Sequence, residues 1–407
     1  MWKWLLGVLA AALLLQAFSA SQAAPAEDKT LLDPMDAVSF TASSDKAHVA
    51  PVPGRSVGAL QFSFANDCMN VFCQGRVSGK PEWDGAAGIS FWVKGDGSHH
   101  LGGLEFIWNG DYSQRYGYAF PINSTAWRKV VVPWRDLIPE TSGIAQAIDP
   151  QGGHAPSKLG PITFGKWWYW KDYAAHSYTV DDIRLEPVIP PDKREYRPSG
   201  DPLARVRAKL KAGKPIMIVT MGDSLTDFSH WTNHETNWPT QLTAQIKQKH
   251  GSQVTLVNPA MGGTELRQNL VVLPRWASVT PRPDLVTIFF GFNDWTAGMR
   301  QERFTAVQQD AIDRVRRATG GRADMLIMTP CPPLTLNNGE ALGELAVACR
   351  QAARSRNAGL CDVYADFQAV PLADRPPLHA PDGVHLSLPG QQRVAQSVLA
   401  ALEGSGK

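Results

Sequence analysis

The chain has 407 residues, with 40 Lys and Arg against 38 Asp and Glu, a formal net charge of +2, and 43% hydrophobic side chains. So even a balance, without a Lys/Arg run, argues against a nucleic-acid partner, which calls for a basic excess on one face. The length exceeds one ordinary domain and predicts two.

Lys3 precedes an apolar run from Leu5 to Leu15, followed by small residues through Ala24. This pattern predicts a cleaved signal peptide over residues 1–23 and hence a secreted or periplasmic protein. The run is shorter than the roughly 20 residues that cross a bilayer, so no stable membrane insertion is expected. Five cysteines make an odd count in an exported chain. Cys68 and Cys73 form the first candidate disulfide and Cys349 and Cys361 a weaker second, while the spacings do not repeat as a zinc pattern.

Between residues 30 and 187, short alternating segments (Leu60–Phe64, Ile89–Val93, Leu104–Trp108, Lys129–Pro133) are separated by Gly, Asp, Asn and Pro clusters. Strands at short intervals, with no helical period between them, predict an all-β antiparallel sandwich. Eight tryptophans lie between Trp83 and Trp170. Their faces could stack on sugar rings, although alternation turns about half of such residues inward to a core. The stretches Ile89–Ser98, Trp127–Trp134 and Val180–Leu185 resemble galactose-binding-like jelly rolls. In particular they are similar to family-eleven carbohydrate-binding modules and complex I intermediate-associated-protein-like domains. That resemblance implies a jelly-roll fold and leaves ligand binding open.

A Pro-rich stretch, residues 188–203, reads as a linker. From 204 to 404 buried apolar strands (Ile216–Met221, Val254–Asn258, Leu285–Phe290, Met325–Thr329 and, less clearly, Cys361–Tyr364) alternate with helical patterns. The helices fall near Trp238–Lys249, Glu302–Ala318, Leu342–Arg356 and Gln391–Leu402. Five such units predict a three-layer α/β/α domain on a five-stranded parallel sheet, with its site at the carboxyl ends of the strands.

The strand ending at Met221 runs into Gly222-Asp223-Ser224-Leu225, which places a hydroxyl at that rim. Serine alone is a poor nucleophile; Asp382-Gly383-Val384-His385 offers an imidazole to take its proton and a carboxylate to fix the imidazole tautomer. Thr226 rules out a Gly-x-Ser-x-Gly elbow. Asp223 and Asp227 read as loop-ordering residues. His230 and His234 have metal-compatible spacing only on a helix and lack a third ligand, so no metal is expected and no cofactor is called for. Trp231 and Trp295 are candidate substrate platforms.

These blocks resemble the SGNH, or GDSL, hydrolase superfamily over about residues 213–404. Gly222–Leu225 is similar to its first block, Asn258–Thr264 to the second, Gly291–Asp294 to the third and Asp382–His385 to the fifth. The resemblance implies a flavodoxin-like fold, a Ser224, Asp382 and His385 triad, and an oxyanion hole made by the Ser224 and Gly263 N–H groups with the Asn293 amide. Gly263 is preferred to Gly262 because it stands five residues after Asn258. The expected function is a secreted esterase removing O-acetyl or other short acyl groups from a polysaccharide, its partner. A lipid or thioester hydrolase is the alternative, disfavoured by the lack of a long apolar insertion near Ser224. A catalytically silent glycan binder would need a missing triad member.

Overall fold

In the computed structural model the described residues are 28–404, apart from 144, 145, 150, 151, 195, 231–233, 280, 281 and 335–341. The expected signal peptide and Trp231 lie outside them.

The first half consists of β1 (Leu31–Asp33), β2 (Phe40–Ala42), β3 (Ala47–Pro53), β4 (Gly58–Phe64), β5 (Val71–Gly75), β6 (Gly88–Gly95), β7 (Leu101–Trp108), β8 (Asp111–Pro121), β9 (Arg128–Pro133), β10 (Ile138–Pro139), β11 (Thr163–Lys166) and β12 (His176–Glu186). One sheet has the order β3-β4-β12-β6-β9, with β1 also on β12; the other runs β10-β8-β7-β11-β5-β2. Every pair is antiparallel. The strands are β-branched and aromatic on their inward positions, which suits a pleated, half-buried surface. Phe62, Phe91, Phe120, Phe164 and Tyr178 meet between the sheets. Most of the tryptophans are not displayed to solvent. Trp83, Trp134, Trp167 and Trp170 are buried, whereas Trp168 is 37% exposed.

The second half carries β13 (Ile216–Gly222), β14 (Val254–Val257), β15 (Leu285–Phe289), β16 (Asp324–Met328) and β17 (Gly359–Cys361). They form a parallel sheet of order β14-β13-β15-β16-β17. Its helices are α1 (Ala204–Lys211), α2 (Trp238–His250), α3 (Leu266–Val271), α4 (Pro274–Ala277), α5 (Phe292–Thr296), α6 (Gln301–Thr319), α7 (Gly343–Arg356), α8 (Val363–Gln368) and α9 (Leu388–Glu403). α3, α6 and α7 share one core with the sheet, while α1, α2 and α9 share another, so the sheet is covered on both sides. β14 lies to one side of β13 and β15 to the other. Strand order therefore reverses at β13, and the crevice beyond its carboxyl end is where open α/β sheets bind ligands.

Several expectations need correction. The last strand is Gly359–Cys361 and not Cys361–Tyr364, because Asp362 caps α8 by accepting the Ala365 N–H at 3.1 Å. The five cysteines are free thiols. Cys73 is buried in the sandwich core, and Cys68, packed against the same core, donates its thiol to the Ala65 carbonyl at 3.0 Å. Cys349 and Cys361 belong to cores on opposite faces of the parallel sheet, which keeps their sulfurs apart.

The stretch read as a linker is held down near its end. Asn357 Nδ2 donates to the Pro198 and Gly200 carbonyls at 2.7 and 2.9 Å. The two halves also share a core: Leu101, Ala119, Ile138, Trp167, Tyr169 and Trp170 pack with Met261, Leu266, Leu270, Val271, Leu273 and Trp276. Polar bonds frame this contact. Ser142 N–H donates to Glu265 at 2.6 Å, Arg267 to the Thr141 carbonyl at 3.0 Å, and Arg275 to the Trp170 carbonyl.

Candidate active site

β13 ends by delivering its chain into a tight turn. The Asp223 carbonyl accepts the Thr226 and Asp227 N–H groups, and the Asp223 side chain accepts the Leu225 N–H at 3.0 Å. Burial pushes the Asp223 carboxyl up to about 6, against that hydrogen bond and the positive field of His385. Held inside the turn, Asp223 orders it and faces no solvent.

The turn presents Ser224 to a segment 161 residues further on. Ser224 Oγ lies 3.0 Å from His385 Nε2, and His385 Nδ1 lies 2.6 Å from Asp382 Oδ2. The other Asp382 oxygen accepts the Val384 and His385 N–H groups, both at 2.9 Å. Gly383 makes this tight return with a φ of +69°, a region other residues rarely adopt. Burial works against the Asp382 charge, but the hydrogen bonds from His385 and Val384 hold it below the usual carboxylate range. An ionised Asp382 favours the tautomer that leaves Nε2 free to accept a proton.

The second loop is anchored to the first. Met261 N–H donates to the Gly222 carbonyl at 3.1 Å, and Gly262 N–H to Asp227 Oδ2 at 2.9 Å. Asp227 also accepts the Ser229 N–H and hydroxyl through its other oxygen. Gly263 follows with a φ of +77° and open space where a side chain would stand. Asn293, at the start of α5 beyond β15, donates one amide hydrogen to the Thr264 carbonyl at 3.0 Å. Two amide hydrogens are available on Asn, so this bond orients the group without exhausting it. Asp294, buried beside it, accepts the Leu266 N–H at 3.0 Å and is pushed well above the carboxylate range, chiefly by burial and then by the Glu265 charge.

The remaining sequence candidates separate. His230 stacks on His385 with ring centroids 4.7 Å apart, whereas exposed His234 lies in the following 3-10 turn. Trp295 is half-buried against the core, with the Arg300 guanidinium 5.1 Å from its ring. One residue came from outside the family blocks. Lys171 of the sandwich lies close enough that its charge, after burial and His385, helps lower the His230 basicity. It follows Trp168–Trp170, whose last carbonyl accepts from Arg275, and Arg275 also reaches the Met261 sulfur at 2.9 Å. No local spacing announces this convergence, because it depends on how the two halves dock.

Residues 220–393 match the GDSL-like Lipase/Acylhydrolase family. Among solved structures, the chain is similar to a lipase/acylhydrolase from Enterococcus faecalis, at 19% identity over 47% of this chain and 97% of that one, with a TM-score of 0.40. An acetyl xylan esterase from Geobacillus stearothermophilus matches at 19% identity over 47% and 95%, with a TM-score of 0.39. A hydrolase from the metagenome of Lake Arreo, Spain, matches at 22% identity over 47% and 96%, with a TM-score of 0.40. No curated protein matches the chain. Residues 220–393 are thus a GDSL-type hydrolase domain, and the protein is a carboxylic ester hydrolase.

Proposed function

We propose that Ser224 attacks the ester carbonyl while His385 accepts its proton and Asp382 holds the imidazole. The observation that carries this reading is the unbroken line from Asp382 through His385 to Ser224, at 2.6 and 3.0 Å. The tetrahedral intermediate places charge on the former carbonyl oxygen, which takes hydrogen bonds from the Ser224 and Gly263 N–H groups and the second Asn293 amide hydrogen. Gly263 is favoured over Gly262, whose N–H is already given to Asp227. His385 then returns the proton to the leaving alcohol, and water repeats the sequence in reverse to release the acid and restore Ser224.

We assign the substrate as a short acyl ester, O-acetyl first, on a polysaccharide met outside the cytoplasm after removal of residues 1–23. Exposed Trp168 and Tyr173 flank in sequence Lys171, whose charge reaches His230, and aromatic faces of that kind suit sugar rings. In this reading the sandwich, a jelly-roll-type module, forms part of the cleft wall. Ser224→Ala should retain the fold by circular dichroism and lose on the order of a millionfold in kcat on a short-chain ester. Full turnover by pure, folded Ser224→Ala protein would overturn the mechanism. Acetate release from acetylated polysaccharides, set against hydrolysis of long-chain acyl esters, tests the substrate assignment.

A further inference from the structure

Three side chains from distant parts of the sandwich converge outside the Ser224, His385 and Asp382 line. His100 directly precedes β7, Asp172 lies between β11 and β12, and His176 opens β12. One donor atom from each falls within 4.8 Å of the other two. His100 Nδ1 stands 2.8 Å from Asp172 Oδ2, and the His100 and His176 rings stack at 5.3 Å.

His176 supplies the independent sign. It is only 5% exposed, its Nδ1 faces the Ala174 carbonyl at 3.3 Å, and its Nε2 has no hydrogen-bond partner. A buried polar atom without a partner is costly. An imidazole that gives one N–H to a backbone carbonyl and keeps the other nitrogen bare is arranged as metal-ligating histidines commonly are. Asp172 is oriented in the same way, its second oxygen accepting the Ala174 N–H at 3.2 Å.

We propose that His100, Asp172 and His176 bind a divalent transition metal of the zinc type. Two imidazoles and one carboxylate match that borderline ion, and the fourth position opens to water beside His100, whose side chain is 32% exposed. The 4.8 Å limit exceeds the ligand spacing around a tetrahedral zinc, so binding tightens the cluster. The buried Lys166 ammonium opposes the ion, although it is turned onto the Ala174 and Ala65 carbonyls at 2.8 and 3.5 Å. The site is accordingly a moderate binder. Asp172 follows Lys171 directly, so the ion would fasten the interdomain turn to β7 and β12.

The test is calorimetric titration of zinc chloride into the untagged, chelator-stripped mature protein, with thermal unfolding in parallel. The parent should bind one equivalent at this site and unfold at a higher temperature with zinc. His100→Ala and the near-isosteric Asp172→Asn should each weaken that binding by at least about a hundredfold, since losing a ligand costs no less than losing the partner that supports one. Their unfolding without zinc checks that both are folded. His230→Ala should bind as the parent does. Absence of zinc binding by the parent, parental affinity in folded His100→Ala and Asp172→Asn, or transfer of the loss to His230→Ala would each overturn the assignment.

Discussion

Asn293 is the residue on which the proposed transition-state stabilisation can be separated from nucleophile generation. Its amide donates to the Thr264 carbonyl, whereas the Ser224 hydroxyl meets the His385 imidazole. Asn293→Ala should lower kcat by about a hundredfold to a thousandfold with a smaller change in KM, as steady-state kinetics on a short-chain ester would reveal. An unchanged kcat would remove it from the oxyanion hole. The grouping of Ser224, Asp382 and His385 was legible because each sits in a block whose residues are neighbours in sequence. Gly263 was offered by a block of the same kind, and the bond from Gly262 to Asp227 adds a physical reason to propose it over its neighbour. Lys171 and Arg275 were not legible, since what they touch is decided by docking between halves and no periodicity encodes it. Nor was the cysteine state, because spacing along the chain says nothing of which face of a sheet each sulfur occupies.

The strands β7, β8 and β10 carry a second feature with a measurable consequence. Glu105 on β7 and Glu140, which follows β10, are buried together next to Arg115, whose Nε lies 3.9 and 3.3 Å from their carboxylates. Burial, then the neighbouring Glu140 charge, pushes Glu105 well above the carboxylate range; burial pushes Glu140 up against the pull of Arg115. Both groups hold protons more tightly folded than unfolded. Their contribution is therefore full below the unfolded carboxyl value of about 4.3 and is lost as pH rises through that value toward the folded ones. Glu105→Gln should gain about 1 kcal/mol at neutral pH by giving Glu140 a donor, and should flatten the fall of Tm between acid and neutral pH. A variant whose Tm follows pH as the parent's does would show that the pair does not titrate there. The individual strands were readable from alternation, yet the pairing of these two acids was not, since an acidic residue inside a strand ordinarily marks its solvent face.

At the scale of the whole molecule, the shared core changes what deletion of the sandwich should do. A tethered module could be removed at the expense of polymer binding alone. Here removal uncovers Leu266, Leu270, Val271 and Trp276, which pack against Trp167, Tyr169 and Trp170. It also takes away the carbonyl that Arg275 binds while that residue reaches Met261, two positions before Gly263. A fragment of residues 204–404 should be poorly soluble and should lose activity on a small soluble ester as severely as on polymer. Sparing of the small ester in a soluble fragment would restore the tether. The two halves themselves were separable by their grammar, one strand-rich and one alternating. Their union was hidden because the tryptophan-rich stretch reads equally well as an inner or an outer surface.

The long separation between Ser224 and His385 also bears on timing. The strand that carries the proposed nucleophile is complete long before α9, whereas the imidazole is supplied by the segment just ahead of that last helix. On the proposed mechanism, a growing chain that has not yet reached His385 holds Ser224 without its base, and esters it meets at that stage are safe from it. In the proposed mechanism, hydrolysis therefore begins only once the segment that carries His385 has folded against the turn that carries Ser224.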